Sequence, residues 1–392
     1  MKKRIHIIST VVILTLILLM SVKQLAAEFY YRMAERHGEG LRKPTGYLRK
    51  CIALDNKNAL FHFSLGKAFL QGGLAEATSL AERNRWVREA IYEFHEAIKL
   101  EPSESDYHFH LGISYGCLIY PPPFLGKMVQ KSFTRTAMLN PTDIRHLNSM
   151  AGYYLDEYVR LKDGGAHIVG TSENYVIMAK ENYQLYFRKL LDVDENYLRK
   201  ILEKTFSVTQ LYTDLRGVIR DTAGDHAFFA RFLDGKGMWK EAQEEYREAI
   251  NLEPANPSHY GNFAHAFFRR GDYGNAIYWW GKQKAVDPND GKSYLHLANS
   301  YIKLKRFDDA LRELRELIRL HPDNINYQAK LIKALLAAGR PDEAIEEYHT
   351  IMGNDHYFSK TTYDAIREYQ RKGNYPQATR ILNDALSSAL SR

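Results

Sequence analysis

The residues best able to do chemistry in this chain are few and scattered. His108 and His110 form a His-x-His, but residues two apart on a helix face different sides, and no cysteine or carboxylate cluster accompanies them. Ordinary surface histidines fit that spacing, so no metal site is expected. Gly164, Gly165 and Gly170-Thr171-Ser172 offer backbone for a phosphate cradle, yet the lysine a phosphate loop requires is missing and no strand precedes them. A turn accounts for these glycines. Cys51 and Cys117 are too few for a disulfide framework and decide nothing about compartment. No Ser/His/Asp, Cys/His or paired-carboxylate arrangement can be placed at a common site. The chain is therefore expected to be no enzyme and to need no cofactor, and an active site, were there one, would have to lie in the region 143–222.

The elements that must position any binding residue are written as a period. Ala242, Ala276, Ala310, Ala344 and Ala378 stand 34 residues apart without an insertion, which marks an array of repeated helical units rather than one globular core. Twelve residues before each alanine comes Ala230, Ala264, Ala298, Ile332 or Ile366, and three further on Leu233, Phe267, Tyr301, Leu335 or Tyr369. That is one apolar helix face. Tyr246, Trp280, Leu314, Tyr348 and Leu382 follow the alanines by four residues, with Ala249, Gln283, Leu317, Ile351 and Ala385 beyond them, and make a second face. Gly237, Gly271, Gly339 and Gly373 sit between the two faces, where a helix C-cap needs a positive φ, and Lys305 is the exception. Pro254, Pro288 and Pro322 stop the second helices.

A helix-turn-helix of this length and pattern resembles the tetratricopeptide repeat family, and residues 223–392 are covered completely. Two looser copies precede them, Leu65-Gly66, Phe69, Ala90, Phe94, Ala97 and Pro102, then Leu111-Gly112, Tyr115, Phe133 and Pro141. Both carry the family's Leu-Gly pair and both are lengthened by insertions, the second containing the rigid spacer Pro121-Pro122-Pro123. Residues 47–56 fit the second helix of a still earlier copy. In 143–222, Tyr153, Tyr154, Tyr183, Tyr186 and Phe187 read as buried faces of divergent helical repeats, and the glycine-rich stretch 163–174 reads as a loop that separates two subarrays and kinks the superhelix. The implied fold is all-α, a solenoid of antiparallel helix pairs with an N-terminal transmembrane helix. Its expected divisions are a membrane anchor at 1–27, repeats with insertions at 28–142, divergent repeats at 143–222 and five regular repeats at 223–392.

The resemblance also implies where a ligand would sit. In the family the first helix of each unit lines the concave face, with repeat positions 2, 6, 9 and 13 pointing into the groove. Carried over, these positions place Arg231, Arg269, Lys292, Lys303, Lys330, Lys333, Lys360, Arg367 and Arg371 there, together with Asn262, His265, His296 and Asn299. Asp364 is the one acid among them. The second helices carry the opposite sign, as in Glu241, Glu244, Glu245, Glu248 and Glu253. A basic concavity recruits anions, so an acidic protein or peptide partner is implied, with solvated surface cations as the plainer account. Phe228, Phe268 and Tyr363 lie near the stripe. One subgroup of the family grips the C-terminal carboxylate of chaperones through Lys, Asn, Asn, Lys and Arg. The corresponding residues here are Ala227, Arg231, Asn262, Lys292 and His296, so only Asn262 and Lys292 agree and that mode is not expected.

Composition is that of a folded chain, with 45% hydrophobic and 26% charged residues in 392, and the net charge of +7 carries no specific nucleic-acid signal. Ile5 to Val22 is an uncharged run of 18 residues, about 27 Å as a helix and enough to cross a bilayer. Leu25 stands where a signal-peptide cleavage site wants a small residue, which favours an uncleaved anchor. Lys2, Lys3 and Arg4 argue for export of the repeats, against Arg32, Arg36, Arg42 and Lys43. Leu382, Leu386 and Leu390 are expected to stay partly exposed and to support self-association. The reading as a whole is a membrane-anchored scaffold in a cell-envelope assembly, with binding of an anionic polysaccharide or polymer during assembly or export as the alternative.

Overall fold

The computed structural model describes residues 2–36, 42–118, 125–163, 173–354 and 360–390. Among them the regular elements are helical, and the chain divides into two compact units, Met1–Ile219 and Arg220–Arg392. Pro121-Pro122-Pro123 and residues 164–172 of the glycine-rich stretch lie outside the described residues.

The second unit starts at α11 and contains five helix pairs: α11 (Ala223–Gly235) with α12 (Trp239–Leu252), α13 (Pro257–Arg269) with α14 (Tyr273–Val286), α15 (Gly291–Lys303) with α16 (Phe307–Leu320), α17 (Ile325–Ala337) with α18 (Pro341–Asn354), and α19 (Lys360–Arg371) with α20 (Tyr375–Leu390). Each pair occupies one period of the sequence. Ala242, Ala276, Ala310, Ala344 and Ala378 are completely buried, because a methyl group is all that fits where the two helices of a pair approach closely. The large residues one turn later, from Tyr246 to Leu382, are equally buried and fill the space beside them.

One turn geometry recurs in every pair. Gly271 has φ +80°, its N–H donates to the Phe268 carbonyl, and the N–H of Asp272 donates to the Phe267 carbonyl, both at 3.0 Å. This is a Schellman cap. Gly237, Gly339 and Gly373 repeat it, and so does Lys305, which takes φ 58° to do so. A second device ties three of the first helices back to the preceding turn. Tyr260, Tyr294 and Gln328, each the fourth residue of its helix, donate to the carbonyls of Pro254, Pro288 and Pro322 at 2.9, 2.8 and 3.1 Å. Those prolines end the helices and leave a free carbonyl that the side chain then satisfies.

The expectation of an exposed leucine stripe at the C-terminus is overturned. Leu382 and Leu386 are fully buried, in one cluster with Ile366, Tyr348 and Leu335, because they fill the core of the last pair itself. The side chain of Leu390 lies outside the described residues.

The first unit is less regular. It contains α1 (Lys2–Arg36), α2 (Arg42–Leu54), α3 (Ala59–Ala75), α4 (Leu80–Leu100), α5 (Ser105–Gly116), α6 (Leu125–Leu139), α7 (Ile144–Asp163), α8 (Glu173–Val193), α9 (Leu198–Val208) and the one-turn α10 (Tyr212–Arg216). From Val12 to Arg36, α1 is long and apolar enough to cross a membrane. It does not break at residue 27: Ala27 and Ala34 are buried, and Cys51 on α2 donates its thiol to the Ala27 carbonyl at 3.3 Å. The two Leu-Gly pairs have a steric cause. A Cβ on Gly66 would lie 2.7 Å from the Phe94 ring, and one on Gly112 2.5 Å from the Phe133 ring. In the divergent region α7 and α8 pack as one long pair around Tyr154, Tyr183, Tyr186 and Phe187, all buried. Asp214 of α10 is buried there too, held by Lys180 at 2.6 Å and by the Tyr158 hydroxyl at 3.2 Å.

Candidate functional site

The first helices of the second unit turn Ala264, Phe263 and Phe267, and their equivalents, into the core. The residues between these positions on the helical wheel are left on the open face. Arg231, His265, Arg269, Lys292, Asn299, Lys303, Lys330, Lys333 and Arg371 are exposed there, while Asn262, His296 and Arg367 are half-buried. Lys360 begins α19, and its side chain lies outside the described residues.

These cations are not equivalent. Asp234, near the end of α11, accepts from Arg269 at 2.7 Å and from Arg270 at 2.8 Å, and Glu346 of α18 pairs with Arg367 at 3.1 Å. Acids absent from the sequence-derived groove positions thus neutralise part of it, and Asp364 is not the only carboxylate on this face. Lys292, Lys303, Lys330 and Lys333 have no carboxylate partner among the described residues. On α14, Lys284 meets Glu313 at 2.7 Å, and Arg340, in the turn before α18, meets Asp308 at 3.0 Å. Arg231 lies over the Phe228 ring.

At the centre of the stripe the imidazoles of His265 and His296 meet edge to face, with centroids 4.5 Å apart, and His296 stacks on Trp280 at 4.8 Å. Phe268 closes the other side of the indole. Desolvation beside Trp280, reinforced by the His265 and Lys292 charges, holds His296 down at about 4, and burial with Arg269 nearby lowers His265 as well. Near neutral pH the stripe is therefore a neutral aromatic patch between lysines. The sequence period had assigned Trp280 to the core, and nothing in it signalled that the same ring also supports His296.

Residues 295–351 match the profile of the tetratricopeptide repeat family. They cover most of α15 to α18, the third and fourth of the five pairs. That segment is tetratricopeptide repeat, and the other three pairs of the array share its period and turn geometry. Among curated proteins, the small glutamine-rich tetratricopeptide repeat-containing protein 2 of Mycosarcoma maydis is 28% identical over 32% of this chain and 33% of its own length. The DnaJ homolog subfamily C member 7 homolog of Dictyostelium discoideum is 26% identical over 29% of this chain and 22% of its own length. The match thus spans a third or less of either relative. Among solved structures, a tetratricopeptide repeat protein from Parabacteroides merdae aligns with 80% of this chain and 99% of its own at 12% identity and a TM-score of 0.33. The first tetratricopeptide domain of Spaghetti bound to an HSP90 peptide aligns with 31% and 99% at 20% identity and a TM-score of 0.27.

Elsewhere in the chain the other reactive side chains make contacts within the fold. His108 Nε2 donates to the Pro102 carbonyl at 3.0 Å and His110 Nδ1 to the Asp106 carbonyl at 2.8 Å, so the two rings do not converge on an ion. His108 stands six residues after Pro102, repeating the tie that Tyr260, Tyr294 and Gln328 make to their prolines. Asp106, Asp143 and His146 gather more closely, but the buried His146 ring bridges the acids, with Nε2 2.9 Å from Asp106 and Nδ1 3.5 Å from Asp143. One imidazole between two carboxylates ties the start of α7 to α5. Burial pushes the Cys51 thiol up to about 11 and raises Cys117 too, which leaves both poor nucleophiles.

Proposed function

We propose that this tetratricopeptide repeat protein is a membrane-anchored scaffold whose C-terminal unit holds an acidic segment of a partner protein on its first-helix face. The observation that carries the reading is the run of cations along the first helices: Lys292, Lys303, Lys330 and Lys333 are exposed without carboxylates among the described residues. Unpaired cations that repeat along one face set up a field for an anion. Neighbouring helices lie about 10 Å apart, and an extended chain advances about 3.3 Å per residue. A partner with an acidic side chain at roughly every third residue would therefore meet one cation per repeat. The neutral His265, His296 and Trp280 patch supplies an apolar seat between the charges.

The apolar α1 helix supports tethering, which raises the local concentration of membrane-bound partners so that modest affinity is enough. The test is fluorescence anisotropy of the full chain, in detergent, with a labelled extended peptide carrying glutamate at every third residue. Lys303→Glu with Lys333→Glu lowers affinity by roughly tenfold or more. Unchanged affinity would remove the stripe as the site. Retention of alginate at concentrations where the peptide does not bind would favour the anionic-polymer reading. Topology reporters fused after Arg392 decide whether the partners are exported or cytoplasmic.

A further inference from the structure

The first unit contains a cavity of about 660 Å³ bounded by α4, α5 and α6. Ile98, Leu111, Met128 and Met138 give it an apolar floor, and Lys127, Lys131 and Arg135 line its edge. The three cations stand at i, i+4 and i+8 of α6, so they follow one another along one side of the helix at intervals of about 6 Å. All three are exposed, and none has a carboxylate partner among the described residues. No acid lines the cavity. The histidines that do are occupied, His95 with the Tyr115 hydroxyl at 2.8 Å and His108 with the Pro102 carbonyl. Met138 is 68% exposed, an unusual state for a large apolar side chain beside a groove. Methionine is the residue that adapts most readily to an incoming apolar surface.

We infer that this groove is a second docking site, built for an acidic amphipathic helix of a partner protein. From Lys127 to Met138 the lining of α6 runs through about three turns, roughly 16 Å. A helix laid along it with glutamates at i, i+4 and i+8 brings one carboxylate to each cation, while its leucine or methionine face covers Met128, Met138, Ile98 and Leu111. The regular interval of the charges selects a helix over a lipid, whose single headgroup would use one of the three cations and leave the others unpaired. The site lies in the first unit and uses none of the stripe residues of the second, so one chain would hold two partners, an extended segment and a helix.

The test uses the full-length protein in detergent and a fluorescein-labelled, hydrocarbon-stapled peptide of about three turns, with glutamates at i, i+4 and i+8 and leucines on the adjoining face. The wild-type chain binds it and does not bind the same peptide with lysine for glutamate. Lys131→Glu combined with Arg135→Glu weakens binding roughly tenfold or more, and Met138→Asp does the same through the apolar floor. Lys131→Gln, the milder variant, weakens it by about threefold, and circular dichroism of each variant matches wild type because these side chains are exposed. Lys292→Glu with Lys333→Glu leaves binding unchanged, which separates this site from the stripe. The inference is overturned if the peptide does not bind, if reversal at Lys131 and Arg135 has no effect, if reversal at Lys333 abolishes binding instead, or if phosphatidylglycerol vesicles displace the peptide at equal anionic charge.

Discussion

Replacing Lys305 by glycine should stabilise the second unit. Five turns join the helices of the regular pairs, and four place glycine at φ between 69° and 82° while the fifth places Lys305 at 58°. The backbone bonds are the same in kind: Lys305 donates to Ile302 and Arg306 to Tyr301, both at 2.9 Å, as Gly271 and Asp272 do to Phe268 and Phe267. The left-handed conformation costs an L residue about 1–2 kcal/mol, from the approach of Cβ to the carbonyl. Glycine escapes this but has the freer unfolded chain, which returns about 0.4–1 kcal/mol. The net expectation for Lys305→Gly is a gain of about 0.5–1 kcal/mol. Gly271→Ala is the reciprocal, with a loss of similar size. No heavy atom lies within 4 Å of a Cβ built on Gly271, so the loss there reports backbone strain without a collision.

Urea unfolding followed by tryptophan fluorescence suits the measurement, because Trp239, Trp279 and Trp280 all lie in the second unit. In a unit of this length a gain of 1 kcal/mol corresponds to about 2–4 °C in Tm. Lys305 is exposed, and among the described residues its amine meets no carboxylate, so removal of its side chain adds no second effect. A midpoint that stays put or falls for Lys305→Gly, at unchanged denaturant slope, would refute the argument. So would a Gly271→Ala variant as stable as wild type.

Two further outcomes follow from packing and charge. Acidic-peptide affinity at the stripe should rise by about one order of magnitude from about pH 7 to about pH 5, because His296 is held at about 4 in the free protein and a bound anion restores its proton. Affinity grows as pH falls, and in isothermal titration at two pH values His296→Gln should flatten the dependence, whereas lysine variants should not. Gly112→Ala places a Cβ 2.5 Å from the Phe133 ring, and the overpacking should cost about 1–3 kcal/mol. Hydrogen exchange should show that loss in α5 and α6 while the second unit keeps its protection.

The regular pairs were legible because their determinants are local and periodic. Ala310 must be small and Leu314 large wherever the chain stands in its 34-residue period, so residue type alone reveals both helices and their contact. The Lys305 exception was legible for the same reason. What stayed hidden depends on side chains that meet across repeats. Asp234 reaches Arg269 and Arg270 from the preceding helix pair, and its position in the period carries no sign that it turns toward the stripe. The ring supporting His296 belongs to a core tryptophan, so its second role appears only when α13, α14 and α15 are packed together. Leu386 was misread because a last repeat was expected to leave its apolar face open, whereas that leucine fills its own pair. The long α7 and α8 pair was legible only as buried aromatic positions such as Tyr154 and Tyr183, because its core has no repeating interval from which to set the helix bounds.

The first helix adds a constraint that the division at residue 27 concealed. In the membrane-anchored reading, the apolar run ends at Val22, yet Ala27 is already buried in the first helix pair. Five residues of helix cover about 7.5 Å, which leaves no room for a flexible linker between bilayer and array. Phe29, exposed at 60%, and the Tyr30 and Tyr47 rings beneath Lys50 fall at this level, where aromatic and basic side chains suit a membrane interface. Because α1 runs unbroken from the apolar segment into the pair with α2, the span would orient the first unit as a rigid lever instead of releasing it on a tether. A partner bound in the cavity of α4 to α6 would then be held at a fixed height above the membrane. Breaking α1 by Glu28→Pro should release that hold and leave peptide affinity in detergent unchanged. Fluorescence transfer from a dye on α6 to a lipid-bound acceptor would separate the two, and an unchanged transfer efficiency would count against the lever.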